Sequence, residues 1–239
     1  METIPEKKLG LLVTEDFQKA EILEAFDLDF LGDKNKTLAE AAREKHLNLD
    51  EILSSLESSN NSQEPEFQNW DINRIIDYIT EVKFPYIKAK INRVRDLGNQ
   101  VAMQHSSSLP NIGEIAETFN RLAWEVKKHI SNEEEKVFPY IKELDFALQN
   151  GKKVDMPVFG TFENPRRVLE HEHRQFGGYL SNIKSLTNNF NPCCQDIAQL
   201  KTYYNELQQF HIELKKLFHL ENDLIFARAS GIEKIVVQT

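Results

Sequence analysis

Three predicted helices each place a carboxylate or imidazole side chain on the face that their apolar residues direct inward. In the second of four helical patterns, apolar positions three or four residues apart continue through His129 and Glu133. The third pattern continues through His173 and the fourth through Glu221. The sequence therefore predicts that two imidazoles and two carboxylates converge inside a helical domain.

Two inward carboxylates need compensation, because an unpaired buried carboxylate is strongly destabilising. One interpretation is a buried polar network in which histidine, glutamate and water satisfy one another. The other is a metal, because imidazole and carboxylate ligands from facing helices form the di-iron and di-manganese sites of helical bundles. The convergence of four such groups favours the metal. His171 and His219 are predicted on the solvent-facing sides of their helices.

The elements that must position these groups are long helices. The chain has 239 residues, of which 40% are hydrophobic, with only 9 Gly and 8 Pro. Four amphipathic patterns of about 25–35 residues each follow one another between residues 70 and 234, with no alternating strand pattern between them. We predict an all-α protein with an antiparallel four-helix bundle over residues 70–239.

A small helical domain is predicted to precede the bundle, over residues 1–54. Thr37 and Glu40 have the spacing of a capping box that begins a helix. Residues 55–69 are rich in Ser, Asn, Gln and Glu without apolar periodicity, and they predict a flexible linker. Because 54 residues make a small core, we also consider a homodimer formed through this domain.

Composition argues against several classes of protein. A net charge of −9 disfavours binding to nucleic acid or to an anionic membrane. No apolar run approaches the roughly 18 residues that span a bilayer, and the N-terminal apolar stretch is short for a signal peptide. Cys193 and Cys194 are adjacent, a strained arrangement for a disulfide, which favours a reduced cytoplasmic chain.

Motifs of the common catalytic classes give little support to an enzyme. The sequence has no Gly-rich phosphate loop, nucleophile elbow or HExxH motif, which argues against a hydrolase or a transferase. Whether the chain is an enzyme stays open at this point.

The inward residues belong to three longer bundle motifs: His129-x3-Glu133-x4-Phe138-Pro139, Glu170-x-Glu172-His173 and Leu220-Glu221-Asn222-x3-Phe226. Two N-terminal segments precede them: Phe26-x-Leu28-Asp29-Phe30 and Lys36-Thr37-Leu38-Ala39-Glu40. Together these motifs resemble a known family, the hemerythrin-like RIC (repair of iron centres) proteins. The order of the motifs matches the family across nearly the whole chain, and it implies a hemerythrin-like bundle behind a small N-terminal domain.

The resemblance implies a set of metal ligands. Members of the family bind two non-haem irons through five histidines and two bridging glutamates. Five residues match those seven positions: His105, His129, Glu133, His173 and Glu221. Only the resemblance points to His105, because no periodicity covers its segment.

The chain departs from the family at several positions. Phe84 and Leu217 stand where two histidine ligands are expected. Glu81, His211 and Glu213 lie within about one helical turn of those positions and are candidate substitutes. The N-terminal Cys-Cys-Gly-Gly of the family is replaced by residues 31–34, Leu-Gly-Asp-Lys.

The resemblance implies a metal-binding protein for repair or protection of iron–sulfur clusters under nitrosative or oxidative stress. Such a protein would bind one or two iron ions, although Mn or Zn suits the same ligands. Its partners would be damaged iron–sulfur proteins, nitric oxide or dioxygen-derived species. The missing ligands and the missing Cys pair support an alternative, a degenerate metal-free bundle that acts as a binding or regulatory module.

Overall fold

The computed structural model of the chain describes residues 3–58, 65–109, 111–194 and 196–237. Every regular element within these ranges is helical, apart from two isolated bridges, Lys8 with Thr37 and Val154 with Val237. The all-α prediction is therefore confirmed. None of the helices in the described ranges combines the length and the hydrophobicity that a membrane-spanning segment requires.

Four short helices build the N-terminal part of the chain: α1 (Leu9–Glu15), α2 (Lys19–Ala25), α3 (Leu38–Glu44) and α4 (Leu49–Ser58). The predicted cap of α3 is confirmed: Thr37 Oγ1 accepts from the Glu40 amide at 3.2 Å, and the Glu40 carboxylate accepts from the Thr37 amide at 2.9 Å.

The predicted linker, residues 55–69, is more ordered than expected where the structure describes it. Residues 55–58 continue α4, and residues 59–64 lie outside the described ranges. A 3₁₀ turn over Phe67–Asn69 follows. Phe67 is fully buried, with its ring 4.8 Å from that of Phe17, so an aromatic contact ties the end of this segment to the N-terminal domain.

The four long amphipathic patterns form four helical rods, three of which contain a π-helical segment. The first joins α5 (Ile72–Tyr78) through Ile79–Lys83 to α6 (Phe84–His105). The second joins α7 (Ile112–Asn132) through Glu133–Val137 to α8 (Phe138–Gln149). The third is α9 (Glu163–Leu186), and the fourth joins α10 (Ala198–His219) through Leu220–Phe226 to α11 (Ala227–Val236). Helix α6 packs on α7 and α10, and α7 packs on α9.

The first two π segments have a local cause. Each is followed by a Phe-Pro pair, Phe84-Pro85 and Phe138-Pro139. A proline inside a helix has no amide hydrogen to donate, which interrupts the regular hydrogen-bond ladder. The chain responds with a wider turn, in which the amides of Phe84 and Phe138 donate to the carbonyls of Ile79 and Glu133, five residues back. The third segment contains no proline and has no such local cause.

Buried charges join the N-terminal domain to α10. Glu24 accepts a hydrogen bond from Lys215 and lies 3.0 Å from Nε2 of His211. His219, which the sequence placed in solvent, is fully buried: its Nε2 is 2.9 Å from Thr14 Oγ1 and its Nδ1 is 3.0 Å from a carboxylate oxygen of Asp223. The solvent-facing prediction for His219 is wrong, because the N-terminal domain covers that side of α10.

Gly98 is a packing requirement of the bundle and supplies a test of it. A Cβ at this position would lie 2.7 Å from the Tyr203 hydroxyl oxygen. We expect Gly98→Ala to lower the free energy of unfolding by about 1–3 kcal/mol through overpacking, despite the better helix propensity of alanine. Thermal unfolding checks this, with Gly231→Ala as control, since its Cβ would meet nothing within 4 Å. Equal melting temperatures for the two variants would contradict the packing argument.

Candidate metal centre

Four side chains from three rods meet inside the bundle. His129, Glu133, His173 and Glu221 each offer one ligand atom, and these atoms all lie within 4.8 Å of one another. The exposed fractions are 3%, 0%, 5% and 0%, so the group is removed from bulk water. It is the arrangement that the helical periodicity predicted for these four residues.

The helices set the height and direction of each side chain. His129 lies in the last turn of α7 and Glu133 begins the π segment that follows, so both project from one face. His173 lies near the middle of α9, and Glu221 is the second residue of the π segment after α10. Two of the four groups therefore sit in π segments, which occur in many proteins at functional sites.

Neighbouring acceptors orient the two imidazole rings. Nδ1 of His129 donates to the Glu172 carboxylate at 2.7 Å, and Nδ1 of His173 donates to the side-chain oxygen of Asn222 at 2.9 Å. The two Nε2 atoms face each other at 3.0 Å. Metal-bound histidines commonly donate their other ring nitrogen to a carboxylate or an amide oxygen in this way. The rings are thus positioned to direct both Nε2 lone pairs at one cation.

The two carboxylates lack hydrogen-bond donors. One oxygen of Glu133 is 3.3 Å from Nε2 of His129, and one oxygen of Glu221 is 3.2 Å from Nε2 of His173. Among the described residues, none of the four carboxylate oxygens has a partner with hydrogen-bond geometry. Buried polar atoms are nearly always satisfied in folded proteins. A cation between the carboxylates would satisfy them, so the residues present fit a metal.

Without a metal, burial and the charges of neighbouring groups shift the pKa values of His129, His173 and Glu221. Burial alone would lower the pKa of His129, but the charge of Glu133 and the hydrogen bond to Glu172 raise it to about 10. Burial and the positive His129 hold the pKa of His173 well below its usual value. Burial and the charge of Glu133 raise the pKa of Glu221 well above its usual value. A metal must therefore displace protons to bind here.

Aromatic rings enclose the imidazoles. Phe218 stacks on His173 with ring centroids 4.2 Å apart, and Phe176 contacts the His129 ring edge to face at 5.4 Å. Phe226 lies parallel to His173 at 6.1 Å. A low-dielectric wall of this kind strengthens the attraction between a cation and its carboxylates.

His105 does not join the group, although the family resemblance implied it. His105 is the last residue of α6. Lys88, near the start of the same helix, donates to the Glu134 carboxylate at 2.8 Å and therefore lies at the level of the cluster. Between residues 88 and 105 an α-helix rises about 25 Å. The continuous helix therefore carries His105 to the opposite end of the bundle. His171 is exposed, as the sequence predicted.

The candidate substitutes for the two missing histidines also lie elsewhere. Glu213 pairs with Lys83 at 2.9 Å, His211 pairs with Glu24, and Glu81 is exposed. Phe84 and Leu217 are both fully buried. The structure gives the two positions apolar side chains and no replacement ligand among the described residues.

Sequence reasoning assigned no role to Glu172 or Asn222, which orient the imidazoles. Glu172 directly precedes His173 in the sequence, and Asn222 directly follows Glu221. In the sequence, each is only a polar residue next to an inward-facing residue. Such neighbours are too common on helices to show which side chain accepts a hydrogen bond from which imidazole. Only the distances between helices show which acceptor reaches which ring.

Removing the acceptor of His129 should weaken metal binding without removing a ligand. We expect Glu172→Gln to lower metal affinity by about 10–100-fold, because the ring loses the carboxylate that fixes its tautomer and raises its basicity. Competition against a chromogenic chelator measures this. Glu170→Gln, which loses a pairing with Arg166 on the same helix, serves as control. An unchanged affinity in Glu172→Gln would refute an orienting role.

Comparisons with known proteins agree with this geometry. Residues 86–229 match the model of the Hemerythrin HHE cation binding domain, and residues 5–60 match a second model, described as Domain of Unknown function (DUF542). The "Probable iron-sulfur cluster repair protein" of Haemophilus influenzae is 28% identical over 229 residues, which cover 93% of this chain and 96% of the relative. The "Iron-sulfur cluster repair protein YtfE" of Musicola paradisiaca is 25% identical, with coverage of 94% and 96%.

The two domain matches occur in the order that the sequence motifs indicated, and the relatives match over nearly their whole length. The cation-binding model alone covers more than half of the chain and contains all four residues of the buried group. The chain therefore belongs to the hemerythrin HHE cation-binding family, as a member of its RIC group.

Proposed function

We propose that this chain binds non-haem iron at His129, Glu133, His173 and Glu221 and takes part in the repair or protection of iron–sulfur clusters under nitrosative or oxidative stress. The observation that carries the proposal is the set of four buried carboxylate oxygens that lack hydrogen-bond donors and converge with two oriented imidazoles. The names of the relatives support the biological role.

We further propose that the centre holds one divalent cation. The two carboxylates balance the charge of a single divalent ion, whereas a second ion would leave excess positive charge in a buried site. Dinuclear centres in helical bundles of the ferritin-like type use about six protein ligands, and the group here supplies four. Phe84 and Leu217 add none.

The chain's own residues would hold and shield the ion. Glu172 and Asn222 fix the orientation of the imidazoles, and the rings of Phe176 and Phe218 exclude water. A bound iron would supply redox chemistry and open coordination positions. Mn and Zn suit the same ligands, so the ligand set alone does not select iron.

The partners that fit this role are damaged iron–sulfur proteins, with nitric oxide or dioxygen-derived species as small-molecule reactants. We propose a cytoplasmic location, supported by the free thiols of Cys193 and Cys194, whose sulfurs lie 3.6 Å apart without a bond.

Elemental analysis of the full chain, purified after expression in iron-rich medium, tests the metal. We expect about one iron per chain, since the ligand set suits one divalent ion. A repair assay then follows the recovery of a dehydratase whose iron–sulfur cluster has been damaged by peroxide. Metal content near zero in a folded chain would contradict the metal proposal, and iron-loaded protein that fails to accelerate recovery would contradict the repair role.

Phe84 and Leu217 favour one alternative, a metal-free bundle that acts as a binding or regulatory module. In that case His129→Gln and Glu133→Gln would leave the melting temperature unchanged in metal-replete buffer. A real metal site predicts a lower melting temperature for both, through lost ligation.

A further inference from the structure

A cleft of about 490 Å³ separates the N-terminal domain from the bundle. Leu31 and Lys34 line it from the N-terminal side, and residues of α9 and α10 line it from the other. His173 and Asn222 are also in its wall, so the cleft reaches a side chain of the buried cluster. Its volume falls within the range of about 300–1,000 Å³ that is typical of small-molecule sites.

Two adjacent glycines, Gly177 and Gly178, form part of the wall within the 24-residue helix α9. Each glycine in a helix interior costs about 1 kcal/mol relative to alanine. A Cβ at either position would meet nothing within 4 Å among the described residues, so packing does not require glycine here. Because neither glycine has a side chain, this part of the cleft stays unfilled.

The charges of the cleft favour an anion. Each lining carboxylate already pairs with a basic side chain at 2.5–2.8 Å: Asp29 with Lys215, Asp223 with Lys34 and Glu170 with Arg166. Arg174 also lines the cleft, and within the described part of the chain it has no carboxylate at ion-pair distance. The lining therefore carries a surplus cation in a chain whose net charge is −9.

We propose that this cleft binds a small oxyanion, a carboxylate or a phosphate, through the guanidinium of Arg174. A guanidinium presents two parallel N–H donors that match the oxygens of either group. The apolar side chains of Leu180 and Phe218 line the same cleft and can contact the body of an organic ligand. This site goes beyond the metal centre and does not require a metal to be bound.

Calorimetric titration of the full chain with succinate, and separately with inorganic phosphate, tests the site at constant ionic strength. Succinate is chosen as the organic probe because it chelates iron weakly. We expect saturable binding that weakens at least about tenfold in Arg174→Gln, which removes the bidentate donor, and in Gly177→Leu, which fills the cleft. Preference for one of the two probes identifies the ligand as organic or inorganic.

Matched controls separate the cleft from general effects of charge and helix propensity. Arg167→Gln removes an exposed arginine of the same helix, and Gly231→Leu makes the same glycine replacement in α11 at a position with open space. Both should bind the anion as the parent chain does. Absence of saturable binding for both probes, or equal binding in all four variants, would overturn the proposal. Each titration is made once with added metal and once without it, so that the result for the anion can be interpreted even if the metal site fails.

Discussion

Replacing Glu221 with glutamine should remove metal binding while leaving the fold intact. Glu221 is fully buried, and it supplies one of only two carboxylates in the cluster. A ligand that binds only the native state at 1,000 times its dissociation constant adds about 4 kcal/mol of stability. For a chain of this size, that corresponds to a rise of roughly 10 °C in melting temperature. We expect Glu221→Gln to lose this metal-dependent rise.

The melting temperature of the metal-free variant separates a lost ligand from a damaged core. Burial and the neighbouring Glu133 raise the pKa of Glu221 well above its usual value, so its charged form is disfavoured in the metal-free protein. An uncharged amide of the same shape should therefore not lower the metal-free melting temperature. Glu134→Gln, which changes a half-buried pair with Lys88 outside the cluster, is the control and should keep the metal response. A Glu221→Gln variant that still binds metal with parental affinity would exclude this site.

The second large effect is expected on raising the pH, which should lower the stability of the metal-free protein and raise its affinity for metal. In the metal-free protein, Glu133 and Glu172 raise the pKa of His129 to about 10 against the opposing effect of burial. A folded-state pKa above the unfolded value of about 6.5 gives stabilisation that is complete below pH 6.5 and is lost as the pH rises through about 10. The raised pKa of Glu221 acts in the same direction.

His173 does not disturb this window. Its pKa is lowered by burial, so its contribution is present above pH 6.5 and is lost only as the pH falls below that value. Between about pH 7 and 10 the metal-free protein should therefore lose stability as the pH rises.

Metal binding should follow the reverse course. The ion must displace the proton of His129 and any proton held by Glu221, so the apparent affinity should increase at least about tenfold for each pH unit above 7 until the pKa of His129 is reached. Thermal melts and titrations with Mn²⁺ from pH 7 to about 8.5 should show a growing gap in melting temperature between the two forms. An affinity that does not change over this interval would show that His129 carries no proton for the metal to displace.

Local pattern predicted much of this protein. Helical periodicity identified the four rods, because apolar residues three or four apart must share a buried face. The same periodicity selected His129, Glu133, His173 and Glu221, since a polar residue on such a face needs a partner or a metal. The spacing of Thr37 and Glu40 located the start of α3, because a capping box is formed by residues close in sequence.

Other features depended on distances along and between helices. The family resemblance implied that His105 is a ligand, yet the unbroken α6 carries it about 25 Å from the level of the cluster. His219 lies on a helix side that looks polar in sequence, and the N-terminal domain buries that side through Thr14. Neither outcome follows from the apolar periodicity that selected the four residues of the cluster.

The sequence alone therefore determined which residues face inward, because side-chain direction within a helix is a local property of its 3.6-residue period. The tertiary structure decided which of them meet, which outer partners orient them, and where a cleft remains between the domains. Those properties arise where separate rods cross, so the acceptors Glu172 and Asn222 and the pairing of Glu24 with His211 became visible only once the helices were packed together.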